Sequence, residues 1–90
     1  MYDIRPTTKF QKDLKRAKKR GFDLSLLTEI LKQLATGQTL PVKNKDHPLS
    51  GNYAGCRECH IAPDWLLIYE VDGNSLILYL IRTGSHSDLF

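Results

Sequence analysis

An α+β fold is predicted for these 90 residues as a single domain, 1–90, in the order β-α-α-β-β-β. Three observations carry it. Tyr2 to Pro6 alternates in polarity like a short strand. Residues 8–36 show helical periodicity interrupted at Gly21. Residues 56–82 hold three apolar runs separated by turn residues.

The elements follow in order. In the first strand, Tyr2, Ile4 and Pro6 share one side, and Pro6 suits the strand's end. Thr8 stands three residues before Gln11, a capping-box spacing. Phe10, Leu14 and Ala17 then mark a narrow apolar helix face, and Gly21 is placed to terminate it. The remaining faces carry Lys9, Lys12, Lys15, Arg16, Lys18, Lys19 and Arg20. Asp23 can cap a second helix whose stripe is Leu24, Leu27, Ile30, Leu31 and Leu34, broadened by Leu26 and ended by Gly37. The close spacing predicts a helical hairpin laid with its apolar side on a sheet. Residues 38–54 read as a long connection, with Leu40, Val42, Leu49 and Tyr53 available to pin it. Loops of this length are often functional. Cys56 to Ala62, Trp65 to Val71 and Ser75 to Arg82 are the last three strands, joined by turns at Ala62-Pro63-Asp64 and Asp72-Gly73-Asn74. The near-continuous apolar run of the second suits a central strand buried on both faces.

Composition narrows the function classes. Hydrophobic content is 41% and charged content 26%, ordinary for a globular chain. No apolar run approaches the roughly 20 residues needed to span a bilayer. Met-Tyr-Asp-Ile-Arg does not read as a signal peptide, so a cytoplasmic location with reduced thiols and no membrane partner is expected. Residues 1–45 carry 11 Lys and Arg against 4 Asp and Glu, while residues 46–90 carry 2 against 6. The basic half suits a polyanion such as RNA, or simply a solvated lysine-rich helix.

Cys56-Arg57-Glu58-Cys59-His60 matches the haem c attachment spacing. That arrangement needs a local helical turn, whereas this segment leads into a strand hairpin. A zinc set of Cys56, Cys59, His60 and His47 is awkward too, because a strand puts Cys56 and His60 on one face and Cys59 on the other. A thioredoxin-like site would precede a helix. Two small, buried or half-buried thiols are the preferred reading.

The histidines carry more. His47 lies in the long connection, His60 near a strand end and His86 after the last strand. Each alone reads as structural, and Asp64 alone reads equally well as a turn residue. With Asp64, Arg82 and a basic face they could cut RNA without a metal. A base takes the proton of a ribose 2′-hydroxyl, the oxygen attacks the neighbouring phosphate, an acid protonates the 5′ oxygen, and a cation holds the charge.

Three blocks then align in order: Asp46-His47-Pro48-Leu49; Gly51 to Tyr69 with Tyr53, Gly55, Arg57, His60, Ile61, Pro63, Asp64 and Trp65; and Arg82-Thr83-Gly84-Ser85-His86 with Leu89-Phe90. Together they resemble the YafQ branch of the RelE-like toxins over essentially the whole chain. The resemblance implies a ribosome-dependent mRNA endoribonuclease of a type II toxin–antitoxin system, with two helices against a curved, mostly antiparallel sheet. It implies no metal or organic cofactor, and a small DNA-binding antitoxin, the ribosome and mRNA as partners. Its catalytic set falls on His47, His60, Asp64, Arg82 and His86. His86 is favoured as general acid because a flexible tail can approach the leaving oxygen. His60 with Asp64 is the favoured base region, shared with His47, and Arg82 stabilises the phosphate. Trp65 and Phe90 match positions that line or shape the site, and with Lys9, Lys12, Lys15, Arg16, Lys18 and Lys19 they form the expected RNA-binding set. The similar ParE-like toxins, which bind a topoisomerase instead of cutting RNA, are the alternative; a non-catalytic repressor partner is a third.

Overall fold

The computed structural model describes residues 1–90. Strand β1 (Asp3–Pro6) leads into helices α1 (Thr8–Lys19) and α2 (Leu24–Ala35); then come β2 (His47–Pro48), β3 (Arg57–Ala62), β4 (Trp65–Asp72), β5 (Ile77–Gly84) and a final helical turn, α3 (His86–Leu89). The five strands form one sheet in the order β1-β5-β4-β3-β2. β1 runs parallel to β5, and the other pairs are antiparallel. The α+β expectation therefore holds, with one strand more than the sequence disclosed.

That strand corrects the reading of residues 38–54 as plain connection. His47 and Pro48 pair with Glu58 and Arg57, flanked by 3-10 turns at Val42–Asn44 and Gly51–Tyr53. Two residues are too short to show a period of two. Leu40 is buried and Leu49 and Tyr53 pack inward, but Val42 is 95% exposed and pins nothing.

Both helices start on side-chain caps. The cap of α1 is Thr7, one residue before the Thr8 expected; its Oγ1 accepts the Phe10 N–H at 3.1 Å, while Gln11 bonds back to the Pro6 carbonyl. Gly21, at φ +80°, lets the Phe22 and Gly21 N–H groups reach the Ala17 and Lys18 carbonyls and close α1. Asp23 caps α2 as expected. Leu27 and Ile30 are buried, but Leu26 faces outward.

β4 is central, with Leu66, Leu67 and Ile68 fully buried. The helix-covered face holds Phe10, Ala17, Leu27, Ile30, Cys59, Trp65, Leu67, Tyr69, Leu78 and Leu80. The other face is covered only in part, by a small cluster of Leu66, Ile68 and Leu89 with Leu49, Tyr53, Cys56 and Ile81 against it.

A β-bulge in β5 governs what reaches that second face. Tyr69 pairs with Leu80 but Ile68 pairs with Arg82, so Ile81 is the extra residue. In an unbroken strand Arg82 would share the helix-covered face with Leu78 and Leu80. Instead it opposes Ile68, and Thr83 turns to the core. There Thr83 Oγ1 accepts from Trp65 Nε1 at 2.9 Å and donates to the Leu66 carbonyl at 2.7 Å. β1 ends opposite Leu80, so backbone groups beyond it need other partners. Helix α1 and its cap supply them: the Thr7 hydroxyl donates to the Ile81 carbonyl, and Asp13 accepts the Thr83 N–H.

The tail is not the flexible segment expected. Ser85 and Asp88 form a reciprocal capping box, Leu89 is buried, and Arg20 clasps Asp88 through two bonds of 2.6 and 3.1 Å. The Arg20 guanidinium, with help from the Ser85 N–H, holds the Asp88 carboxyl well below the usual carboxylate range. A Cβ on Gly84 would stand 2.9 Å from an Asp88 oxygen, so only glycine lets the turn close so tightly.

Candidate active site

The partly covered face gathers the histidines. His60 projects from β3, in phase with Glu58 and opposite Leu66. His86 opens α3, and the two rings lie 5.8 Å apart between centroids. His86 is held by Asp64 through two contacts to one oxygen: Nδ1 at 3.0 Å and the backbone N–H at 3.1 Å. Those bonds, the backbone one foremost, lower the Asp64 carboxyl from its ordinary value. An Nδ1–H facing a carboxylate leaves Nε2 for a substrate. Asp64 thus belongs with His86, not with His60 as the sequence suggested, because the Pro63-Asp64 turn reaches the start of α3.

His60 has a different carboxylate. Glu58 is buried, with Oε1 at 3.3 Å from His47 Nε2 and 3.7 Å from His60 Nε2. His47 is thus within hydrogen-bond reach of Glu58, while His60 feels the carboxylate as a nearby charge. His47 is brought there by β2. Asp46 anchors this approach, taking the Arg57 Nε–H at 3.1 Å and the buried Tyr69 hydroxyl at 2.7 Å.

Arg82 is not a free cation. Nε and Nη2 donate to the two oxygens of Asp13 at 2.6 and 3.1 Å, and Asp13 is 4% exposed. This fork strengthens the guanidinium's hold on its proton and fixes its plane. Phe90 is exposed, edge-on to Tyr53 at 5.7 Å and 6.4 Å from the His86 ring. Trp65, by contrast, is 3% exposed and packs on Phe22 at 5.1 Å. Its place among RNA-binding residues is corrected: it has no free face on which a base could stack, and it supports the hairpin from beneath. Lys9, Lys12, Lys15, Lys18 and Lys19 are exposed on α1, and Arg16 approaches Asp88 at 3.8 Å.

The cysteines lie apart from this chemistry. Cys59 is fully buried on the helix side, where desolvation pushes its thiol up to about 12, and Cys56 faces the other way. The set that could hold a metal is instead His47, Glu58 and His60, whose ligand atoms lie within 4.8 Å of one another.

Glu58 and Asp13 escaped the sequence reading, yet both left a signal. Glu58 shares the period-two phase of His60. Asp13 interrupts the Phe10, Leu14, Ala17 stripe, and a carboxylate on an apolar face needs a buried partner.

A helix pair over one face of a five-stranded sheet, with imidazoles and carboxylates on the other, is the class of small bacterial toxin that the sequence resembles. The family model described as the bacterial toxin of type II toxin–antitoxin systems, YafQ, matches residues 2–90, and the chain belongs to that family. The mRNA interferase toxin YafQ of Escherichia coli K12 is 39% identical over 89 residues, covering 98% of this chain and 95% of the relative. A metal-bound toxin from Helicobacter pylori superposes with a TM-score of 0.93 at 50% identity, covering all of both chains. The E. coli DinJ–YafQ complex gives 0.91 at 38% identity, covering 100% of this chain and 99% of that one.

Proposed function

We propose that this protein is an mRNA interferase, the toxin of a type II pair, cutting mRNA on the ribosome through the single domain formed by residues 1–90. The observation that carries the reading is the His60–His86 pair, 5.8 Å apart, with Asp64 bonded to His86 and the Glu58 carboxylate 3.7 Å from His60. In the proposed reaction His60, backed by Glu58 and neighboured by His47, takes the 2′-hydroxyl proton. The oxygen attacks the adjacent phosphorus and the bond to the 5′ oxygen breaks. His86, oriented by Asp64, delivers a proton to that oxygen. Arg82, aimed by Asp13, faces the charge on the phosphoryl oxygens. Phe90 offers an exposed ring beside His86, and the α1 lysines supply contacts to ribosomal phosphates. The E. coli relative has been solved with DinJ, and a small DNA-binding antitoxin is the expected partner here, acting in the cytoplasm.

The test is to map mRNA cut sites on translating ribosomes. Wild type should cut at defined positions, while His60→Ala should lose about 10²–10⁴-fold in rate. Intact mRNA with wild type, or full cutting by His60→Ala, would overturn the reading.

Metal dependence gives a second check. The toxin from H. pylori has been solved metal-bound. In this chain His47, Glu58 and His60 would offer two imidazoles and a carboxylate, a set suited to Zn2+ or Cu2+. An ion there would take the imidazole lone pairs that the reaction needs. Added Zn2+ or Cu2+ should therefore slow cleavage in purified translation mixtures that already contain the Mg2+ ribosomes require. A selective chelator of the added ion should restore the starting rate without exceeding it. Faster cleavage on adding Zn2+ would count against histidine acid–base chemistry.

A further inference from the structure

The surroundings of the histidines are electrically lopsided. A cavity of about 610 Å3 beside Asp64 carries Asp23, Asp64 and Asp88, with Arg20 as its cation, and Arg20 is already committed to Asp88. A second cavity, of about 380 Å3, has His60 in its wall and holds Lys43 and Lys45 with no carboxylate among its lining residues. A polyanion is repelled by the first and drawn to the second.

The basic cavity is a constructed corner of the fold. Asn44 is buried and donates from Nδ2 to the His60 carbonyl at 2.8 Å, tying the 3-10 turn of residues 42–44 to β3. Lys45 follows at φ +48°, a left-handed conformation uncommon outside glycine, and its N–H closes onto the Val42 carbonyl at 3.0 Å. The turn buries Asn44 and leaves the lysines on either side of it exposed. Neither lysine is engaged in an ion pair, in contrast to Arg20, Arg57 and Arg82. Backbone held in a sparsely populated region is a known mark of functional corners.

We propose that Lys43 and Lys45 form a phosphate subsite beside His60 that grips an RNA phosphate flanking the one that is cut. The subsite rests on the RNA-cutting reading above. An ammonium group is a compact charge with three donors and suits a phosphate oxygen without demanding one orientation. Contacts of this kind set the register of a strand and read no sequence. Their effect on the reaction is to hold the ribose of the attacking nucleotide against His60.

The experiment is single-turnover cleavage of mRNA in programmed ribosomes, with one uncharged methylphosphonate linkage moved stepwise through the positions flanking the cut. With wild type, one flanking linkage should raise the half-saturating toxin concentration about tenfold. With Lys43→Gln/Lys45→Asn, that concentration should already be raised on ordinary mRNA, and the sensitive linkage should lose its effect. Asparagine tolerates the left-handed conformation and Lys43 is exposed, so the variant should fold. Lys32→Gln, on α2 and outside the cavity, removes one charge as a control and should keep the wild-type linkage profile. A wild-type profile in Lys43→Gln/Lys45→Asn, or no sensitive linkage in wild type, overturns the subsite while leaving RNA cutting intact. Absence of cleavage by wild type on unmodified mRNA removes the RNA-cutting reading itself.

Discussion

Replacing His86 with alanine is expected to lower mRNA cleavage on the ribosome by about 10²–10⁴-fold, with little change in thermal stability. The ring is more than half exposed and makes no core contact, so its loss should cost the fold little. Its loss to the reaction is large because nothing else beside Asp64 can deliver a proton. Asp64→Asn should fall between the two. The amide oxygen can still accept both the backbone N–H and an Nδ1–H of His86, so orientation is kept, but the negative charge that favours a protonated ring is lost. Rates on programmed ribosomes beside melting curves would check both variants. Full activity in His86→Ala would remove the acid from the proposed mechanism.

Asp13→Leu is expected to be the most destabilising single change near the site. It strands the Arg82 guanidinium and the Thr83 N–H, both of which Asp13 accepts from. Arg82 is partly exposed and water can reach it, so the cost is that of a buried group left unpaired, about 1–3 kcal/mol. For a domain of this size that corresponds to a fall in Tm of roughly 4–8 °C per kcal/mol. Asp13→Leu/Arg82→Met should recover much of the stability, because neither charge then lacks a partner, yet remain inactive, because the cation is gone. Chemical denaturation of both variants, paired with cleavage rates, separates the fold's need for Asp13 from the reaction's need for Arg82. A fully stable Asp13→Leu would show that the fork contributes nothing.

Much of this molecule was readable without coordinates. Helical and strand periodicities placed α1, α2, β3 and β4 within a residue or so, because their burial is one-sided or complete and leaves a regular apolar pattern. Gly21 and Asp23 marked a boundary that local chemistry enforces. The turn at Asp72 was seen, but β5 starts at Ile77 rather than Ser75, since Asp72 takes the Asn74 and Ser75 N–H groups and Leu76 adopts φ +55°. The short elements were missed. β2 has two residues and α3 has four, too few to repeat a period, and both exist because of contacts made far along the chain.

Residue types and order determined which groups are available: three histidines, Asp64, Arg82 and a basic first helix. Local chemistry also settled the phase of β3, and so put His60 and Cys59 on opposite faces. Pairing was a tertiary matter. Asp64 went to His86 because α3 folds back against the hairpin, which left His60 to Glu58. Arg82 reached its side of the sheet only because the bulge at Ile81 shifts the register by one residue. No local propensity forces that bulge. It is sustained where β1 stops short and α1 and its cap supply the Thr7 hydroxyl and the Asp13 carboxylate to backbone groups that would otherwise go unpaired. Hydrogen-bond partners some seventy positions apart in the chain decide it, and a period of two read along one strand carries no trace of them.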